Sequence, residues 1–187
     1  MDKKIYNSDL KTKKGLLVAN GTYRGYDFYI KTLGTHPCAY VRISDKSSLK
    51  YSIVNQELYF VNGGITYSNK ALSFDNAEID NTNSWFIGWD YAHYGDFMLS
   101  KNGEILSEGK VWSVGEIIEE CYKAIDEIIE REKEYPYKEI LVNIKTNDET
   151  ITRNIGQFNY EYRFDFITDL IEKNNLKNIN TIDIKIV

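Results

Sequence analysis

Residues 113–131 read SVGEIIEECYKAIDEIIER, and this stretch sets the architecture. Ser113 is followed three places later by Glu116. That is the spacing of a capping box, in which each side chain satisfies an amide left free in the first helical turn. Val114, Ile117, Ile118, Cys121, Ile125, Ile128 and Ile129 then recur at helical spacing as one apolar stripe. Glu119, Glu120, Lys123, Asp126, Glu127, Glu130 and Arg131 fill the remaining, solvated face. Pro136 cannot donate a backbone bond and restricts Tyr135, so the helix ends before it.

Working back from the helix, the chain is strand-prone. Tyr26–Thr32 and Cys38–Ser44 are rich in aromatic and β-branched residues. Two further short runs, 57–62 and 65–68, flank Gly63-Gly64. Trp85–Tyr91 is apolar at neighbouring positions, as in a strand buried on both sides. Residues 76–84 are polar and Asn-rich, which suits a loop. Asn102-Gly103, between 97–100 and 104–106, predicts a hairpin with a type I′ turn. Residues 1–15 read as a polar lead-in, with Lys3, Lys4, Lys11, Lys13 and Lys14 on a solvated tail.

Beyond Pro136 the pattern restarts. Residues 138–145 alternate through Ile140, Val142 and Ile144, 147–148 look like a turn, and 150–155 can pair back. Tyr162, Phe166, Ile167, Leu170 and Ile171 have helical spacing up to Asn174-Asn175, and Ile182, Ile184 and Ile186 alternate as a closing strand. The expected fold is therefore α+β. A mixed or antiparallel sheet packs on one long amphipathic helix over 16–135, and a small ββαβ unit over 137–187 docks on that core or on a partner. A homo-oligomer through residues 137–187 is part of the same expectation.

Composition narrows the function classes. A net charge of −5 argues against direct nucleic-acid binding, which needs Lys and Arg to displace counterions from phosphates. No run approaches the ~18 apolar residues of a membrane span, so no membrane partner is expected. Cys38 and Cys121 are isolated and form no CxxC, and no export signal is seen. Two reduced, buried thiols in a cytoplasmic protein follow. There is no Walker loop, GxGxxG, GxSxG or HExxH motif, and no cofactor is expected.

The two histidines lie in the two most unusual stretches, 34–41 (GTHPCAYV) and 85–96 (WFIGWDYAHYGD). Asp90, His93 and Asp96 recur every third residue. After a strand they could converge as two oxygen ligands and one nitrogen ligand, or as an Asp-oriented imidazole for acid–base work. Equally, Asp and His beside Gly95 cap turns with their side chains. Gly63-Gly64 suits either a tight turn or the close approach of a phosphate to the backbone. His36 reads as a surface or turn residue. The tyrosines of 23–94 suit base stacking or a half-buried sheet, and the acidic helix face suits a basic partner or plain solvation. Asn62, Gly63, Gly64, Asp90, His93 and Asp96 together are expected to line one concave ligand-binding site, because polar and glycine residues here interrupt aromatic, strand-like runs.

On these residues the chain resembles a widespread family of small phage and prophage proteins. Its pattern is roughly GHxCGYV, then HGG[LI]TY, then W[WF][IL]G[FW]DCxHxGD, then a helix with a Glu-Cys pair. Gly34, Cys38, Tyr40 and Val41 match the first block, and Gly63 through Tyr67 the second. Trp85 through Asp90, His93, Gly95 and Asp96 match the third, and Glu120-Cys121 the fourth. The resemblance covers about residues 20–130. Asn62 stands where the family has His, Thr35 takes the place of the first-block His with His36 offset by one, and Tyr91 replaces a Cys.

The resemblance implies a phage origin, hence the host cytoplasm, and an accessory protein acting by binding. Its partner would be a host protein or a small nucleotide ligand: inhibition of a defence nuclease, as anti-CRISPR proteins do, or sequestration of its nucleotide signal. A small metal-dependent hydrolase using Asp90, His93 and Asp96 is the first alternative, and a structural protein the second.

Overall fold

The computed structural model describes residues 5–51, 61–134, 140–147, 150–154, 171–172, 177 and 179–186. Of the expected strand at 57–62, residues 57–60 lie outside the described residues and Val61 and Asn62 stand in a turn closed by Gly64 N; the turn at Asp148 and most of the helix at 162–175 also lie outside, although Ile171 and Glu172 are helical. The chain divides into two compact units, Met1–Tyr135 and Pro136–Val187.

The fold is α+β, and every strand pair among the described residues is antiparallel. In the first unit, β1 (Leu16–Tyr23), β2 (Tyr26–Thr32), β3 (Pro37–Ser44), β4 (Tyr67–Asn69) and β5 (Ser84–Asp90) form one sheet in the order β1-β2-β3-β5-β4. β5 is thus an inner strand, which is why its side chains are apolar on both faces. Ile87 and Trp89 join Ala39, Val41, Phe28 and Ile30 in the core beneath the helix. Phe86 joins Cys38, Tyr40, Tyr29, Leu72 and Phe74 in a second cluster on the other face. Gly88 leaves room for the Tyr40 ring, since a Cβ there would lie 2.5 Å from Tyr40 Cδ1.

The helix α1 spans Val114–Glu134. Its capping box forms as expected: Ser113 N donates to Glu116 Oε2 (2.9 Å) and Glu116 N to Ser113 Oγ (3.3 Å). Ile117, Cys121, Ala124, Ile125 and Ile128 are buried, while Val114, Ile118 and Ile129 flank them half-buried. Tyr23 stacks on Tyr122 (ring centroids 4.4 Å apart), and Arg24 pairs with Asp126 at 2.5 Å, so the β1–β2 turn is fastened to the helix.

β6 (Phe97–Leu99) and β7 (Ile105–Glu108) form the hairpin at Asn102-Gly103. Its turn differs from the type I′ expectation. Of the two residues only Gly103 has positive φ (84°), Ser100 N donates to Glu104 O and Gly103 N to Ser100 O. That is a three-residue loop closed by a left-handed glycine.

The lead-in is not a free tail. Ile5 and Tyr6 are buried in the main core, and Asn7 N donates to Gly34 O (3.0 Å). Tyr6 meets Phe97 edge-on at 5.2 Å, and its hydroxyl accepts from Trp112 N at 3.3 Å. Two apolar residues in a polar run were enough to anchor it. Lys11, Lys13 and Lys14 are exposed as expected.

The Asn-rich loop is ordered by its own side chains. Asn76 both accepts from Leu17 N (2.8 Å) and donates to Leu17 O (3.0 Å), replacing a strand partner at the β1 edge. Asn81 does the same to Leu72.

In the second unit, β8 (Ile140–Thr146) lies between β9 (Thr150–Asn154) and β10 (Ile179–Ile186). The helix expected between the second and third of these strands lies mostly outside the described residues. Val142 and Ile144 are fully buried. No helix among the described residues is long and apolar enough to cross a membrane.

Candidate functional site

Strand β5 ends at Asp90, and the chain then turns through residues 91–96 before β6. Asp90 shapes the turn itself. Its Oδ1 accepts from Ala92 N at 3.1 Å, an Asx turn, and its Oδ2 accepts from Thr66 Oγ1 at 2.8 Å. Asp96 closes the other end. It is only 4% exposed, and its Oδ2 accepts from His93 N at 3.0 Å.

A second turn meets this loop. Gly64 N donates to Val61 O at 3.0 Å, and Gly63 and Gly64 both take positive φ (69° and 80°), as the tight-turn reading required. Asn62, in this turn, donates through Nδ2 to Asp96 Oδ2 at 2.8 Å and more weakly to Asp90 O at 3.4 Å. Gly63 lies against the His93 imidazole so closely that a Cβ would stand 1.9 Å from Nε2. His93 Nε2 is buried, makes no hydrogen bond, and is 3.5 Å from Asp90 Oδ1.

Asn62, Gly63, Asp90, His93 and Asp96 therefore meet, as the sequence suggested. Gly64 belongs to the same turn but faces open space. Cavities of about 620 and 700 Å³ open elsewhere, beside the lead-in and beside the 72–81 loop, and none of the six residues lines them.

The network extends further than the motif. Trp112 Nε1 donates to Asp96 Oδ1 at 2.8 Å. Glu120, assigned from sequence to the solvated helix face, turns inward. Its Oε1 accepts from Asn62 N, and its Oε2 accepts from Tyr91 OH at 3.1 Å. Tyr91 OH in turn accepts from Trp89 Nε1 at 3.0 Å. Burial raises the Glu120 carboxyl above its ordinary value, with the Asp96 charge adding to the shift, against the bonds from Asn62 and Tyr91. Burial, with the Glu120 charge beside it, also raises the Tyr91 phenol.

The Glu-Cys pair hinted at Glu120. Nothing in the sequence pointed to Trp112, since a lone tryptophan before a helix cap is ordinarily core. His36, read as a surface or turn residue, is half-buried at the start of β3 beside the same cluster. Its Nδ1 bonds Thr35 Oγ1 at 2.9 Å, and burial lowers its pKa against the pull of Asp90 and Asp96.

Chemically, both carboxylates at the centre already hold donors: Asp96 has three and Glu120 has two. Among the described residues, no three His, Cys, Asp or Glu side chains are grouped to hold a metal ion. Neither cysteine is poised as a nucleophile: burial pushes the Cys38 thiol up to about 11 and raises Cys121 as well. What the arrangement does is clamp the 91–96 loop from both ends and carry Tyr94, whose side chain is fully exposed, at its tip. No family model matches this chain, and no curated protein and no solved structure matches it either.

Proposed function

We propose that this is a phage-type accessory protein that acts by binding a host defence enzyme, without turnover, through the surface formed by residues 63–66 and 92–95. One observation carries the reading: Tyr94 is 108% exposed on a loop held at both ends by Asp90 and Asp96. A large aromatic side chain displayed on a preorganised turn is what a protein partner uses as an anchor, because little entropy remains to be lost on binding. The family resemblance over residues 20–130 points the same way. The hydrolase reading has less support, since Asp96 already accepts from Asn62, His93 N and Trp112 and the His93 Nε2 faces Gly63.

A second reading, capture of a nucleotide signal, is favoured by the 620 Å³ cavity beside the lead-in. Lys11, Lys13 and Lys101 line it, and none of the three makes an ion pair with a described residue. Its one acidic wall residue, Asp75, is occupied by Thr12 Oγ1 and the amides of Lys13 and Lys14.

The test is a plating assay in bacteria protected by nuclease-based defences. The wild-type protein should restore plaques, and Tyr94→Ala, melting at the wild-type temperature, should not. If Tyr94→Ala protects as well as wild type while Lys11→Glu/Lys101→Glu fails, the nucleotide reading replaces the protein-partner one. Phosphoester turnover with zinc, manganese or magnesium that vanishes in His93→Ala would overturn both.

A further inference from the structure

The second unit ends in a long strand with one side unpaired. β10 bonds β8 through Ile182↔Ile144, Asp183↔Asn143, Ile184↔Val142 and Lys185↔Leu141. Among the described residues it has no partner on its other edge. Thr181 through Lys185 are all exposed, and Ile182 and Ile184 keep 39% and 46% of their surface in water although Ile144 and Val142, beside them on the same face, are fully buried. An exposed, isoleucine-bearing edge strand is a template for another strand, and natural proteins ordinarily blunt it or use it.

The order of residues selects the occupant. Two copies of β10 can pair edge to edge about a two-fold axis perpendicular to the sheet, which keeps the faces aligned and so must pass through a residue. An axis at Asp183 sets Asp183 opposite its own copy, and an axis at Lys185 sets Lys185 opposite its own copy. Each is repulsive. An axis at Ile182 sets Asn180 opposite Ile184. Only the axis at Ile184 gives Ile184 opposite Ile184 on one face and Asp183 opposite Lys185, twice, on the other. Asp183 already approaches Lys145 of its own sheet at 4.0 Å, so the pairing extends a row of alternating charge.

We infer that β10 is a homodimerisation edge: two chains join antiparallel about Ile184, making a continuous six-stranded sheet from the two three-stranded ones. The partner is a second copy because the strand is complementary to itself in charge and in apolar face at one register.

The full-length chain provides the test, by light scattering after size exclusion and by native mass spectrometry. Wild type should be dimeric. Asp183→Lys places Lys against Lys at both pairs, and Lys185→Asp places Asp against Asp. Each variant alone should dissociate with a dimer Kd raised roughly tenfold or more. Mixed in equal amounts they restore opposite charges at both pairs, so the two together should form a heterodimer that neither forms with itself. Circular dichroism at the wild-type value shows that the variants fold. A monomeric wild type at high micromolar concentration overturns the inference. So do single variants that stay dimeric, or a mixture of two folded variants that yields no heterodimer.

Discussion

The Nδ2 of Asn62 donates to Oδ2 of Asp96 at 2.8 Å, tying the 61–64 turn to the loop that follows β5. The same Asn62 gives its backbone amide to Glu120 on α1. One residue thus links two buried or half-buried carboxylates to two turns and a helix, and each link can be broken separately.

Asp96→Ala removes the acceptor of three donors: Asn62 Nδ2, His93 N and Trp112 Nε1. Each buried donor left unpaired costs about 1–3 kcal/mol, so the total should reach about 3 kcal/mol. Asn62→Ala frees one acceptor that keeps two other donors, and should cost about 1 kcal/mol. Urea unfolding measures both. Equal losses for the two variants would show that Asp96 is not the hub.

Gly63→Ala meets two obstacles. Its φ is 69°, and the new Cβ would lie 1.9 Å from His93 Nε2. The loss should be about 2 kcal/mol or more. Adding His93→Ala removes the clash but not the backbone strain, so the double variant should recover part of the loss. A double-mutant cycle in thermal melts should give a coupling of about 1 kcal/mol or more, and zero coupling would mean that the ring and the turn do not touch.

On the helix, Ile117→Asp and Ile125→Asp bury an unpaired charge and should cost more than about 4 kcal/mol. Ile118→Asp, at a half-buried flank, should cost less than Ile117→Asp. Glu127→Ala breaks only a partly exposed pair with Arg131 at 2.9 Å and should change stability by at most about 0.5 kcal/mol. Chemical denaturation of the four variants ranks the faces directly.

Glu120 predicts a pH effect. Its carboxyl is raised from the ordinary 4.5 in the folded state, so the folded form holds its proton longer. The stability this contributes is fully present below pH 4.5 and is lost as pH rises through the folded value. Glu120→Gln cannot titrate. Relative to it, wild type should therefore be most stable at acid pH and lose ground as pH rises from about 4 toward 7. His36 has the opposite sign: its lowered pKa gives stability above 6.5 that is lost as pH falls. The comparison must accordingly be between variants and not read from wild type alone. A wild-type minus Glu120→Gln difference that does not move with pH would mean that Glu120 is solvated.

The sequence by itself determined the helix, its cap and its apolar stripe. It also placed the hairpin at Asn102-Gly103, the inner strand β5 and the α+β class, because these depend on spacing of two, three or four residues along one segment. Local rules also carried the turn at Gly63-Gly64 and the convergence of Asn62, His93 and Asp96, since interrupted apolar runs mark where buried polar groups must find partners. What only the tertiary structure decided are the contacts between segments. Glu120 leaves the solvated face because a half-buried amide at Asn62 and a buried phenol at Tyr91 await an acceptor there. Ile5 and Tyr6 leave a polar tail because the sheet offers them a covered site. Trp112 joins the network, and His36 comes beside it, by position in space alone. A helical wheel or a strand pattern records which face a residue occupies, but the partner across the gap comes from another part of the chain, and that partner decides whether a carboxylate is bathed in water or held in the core.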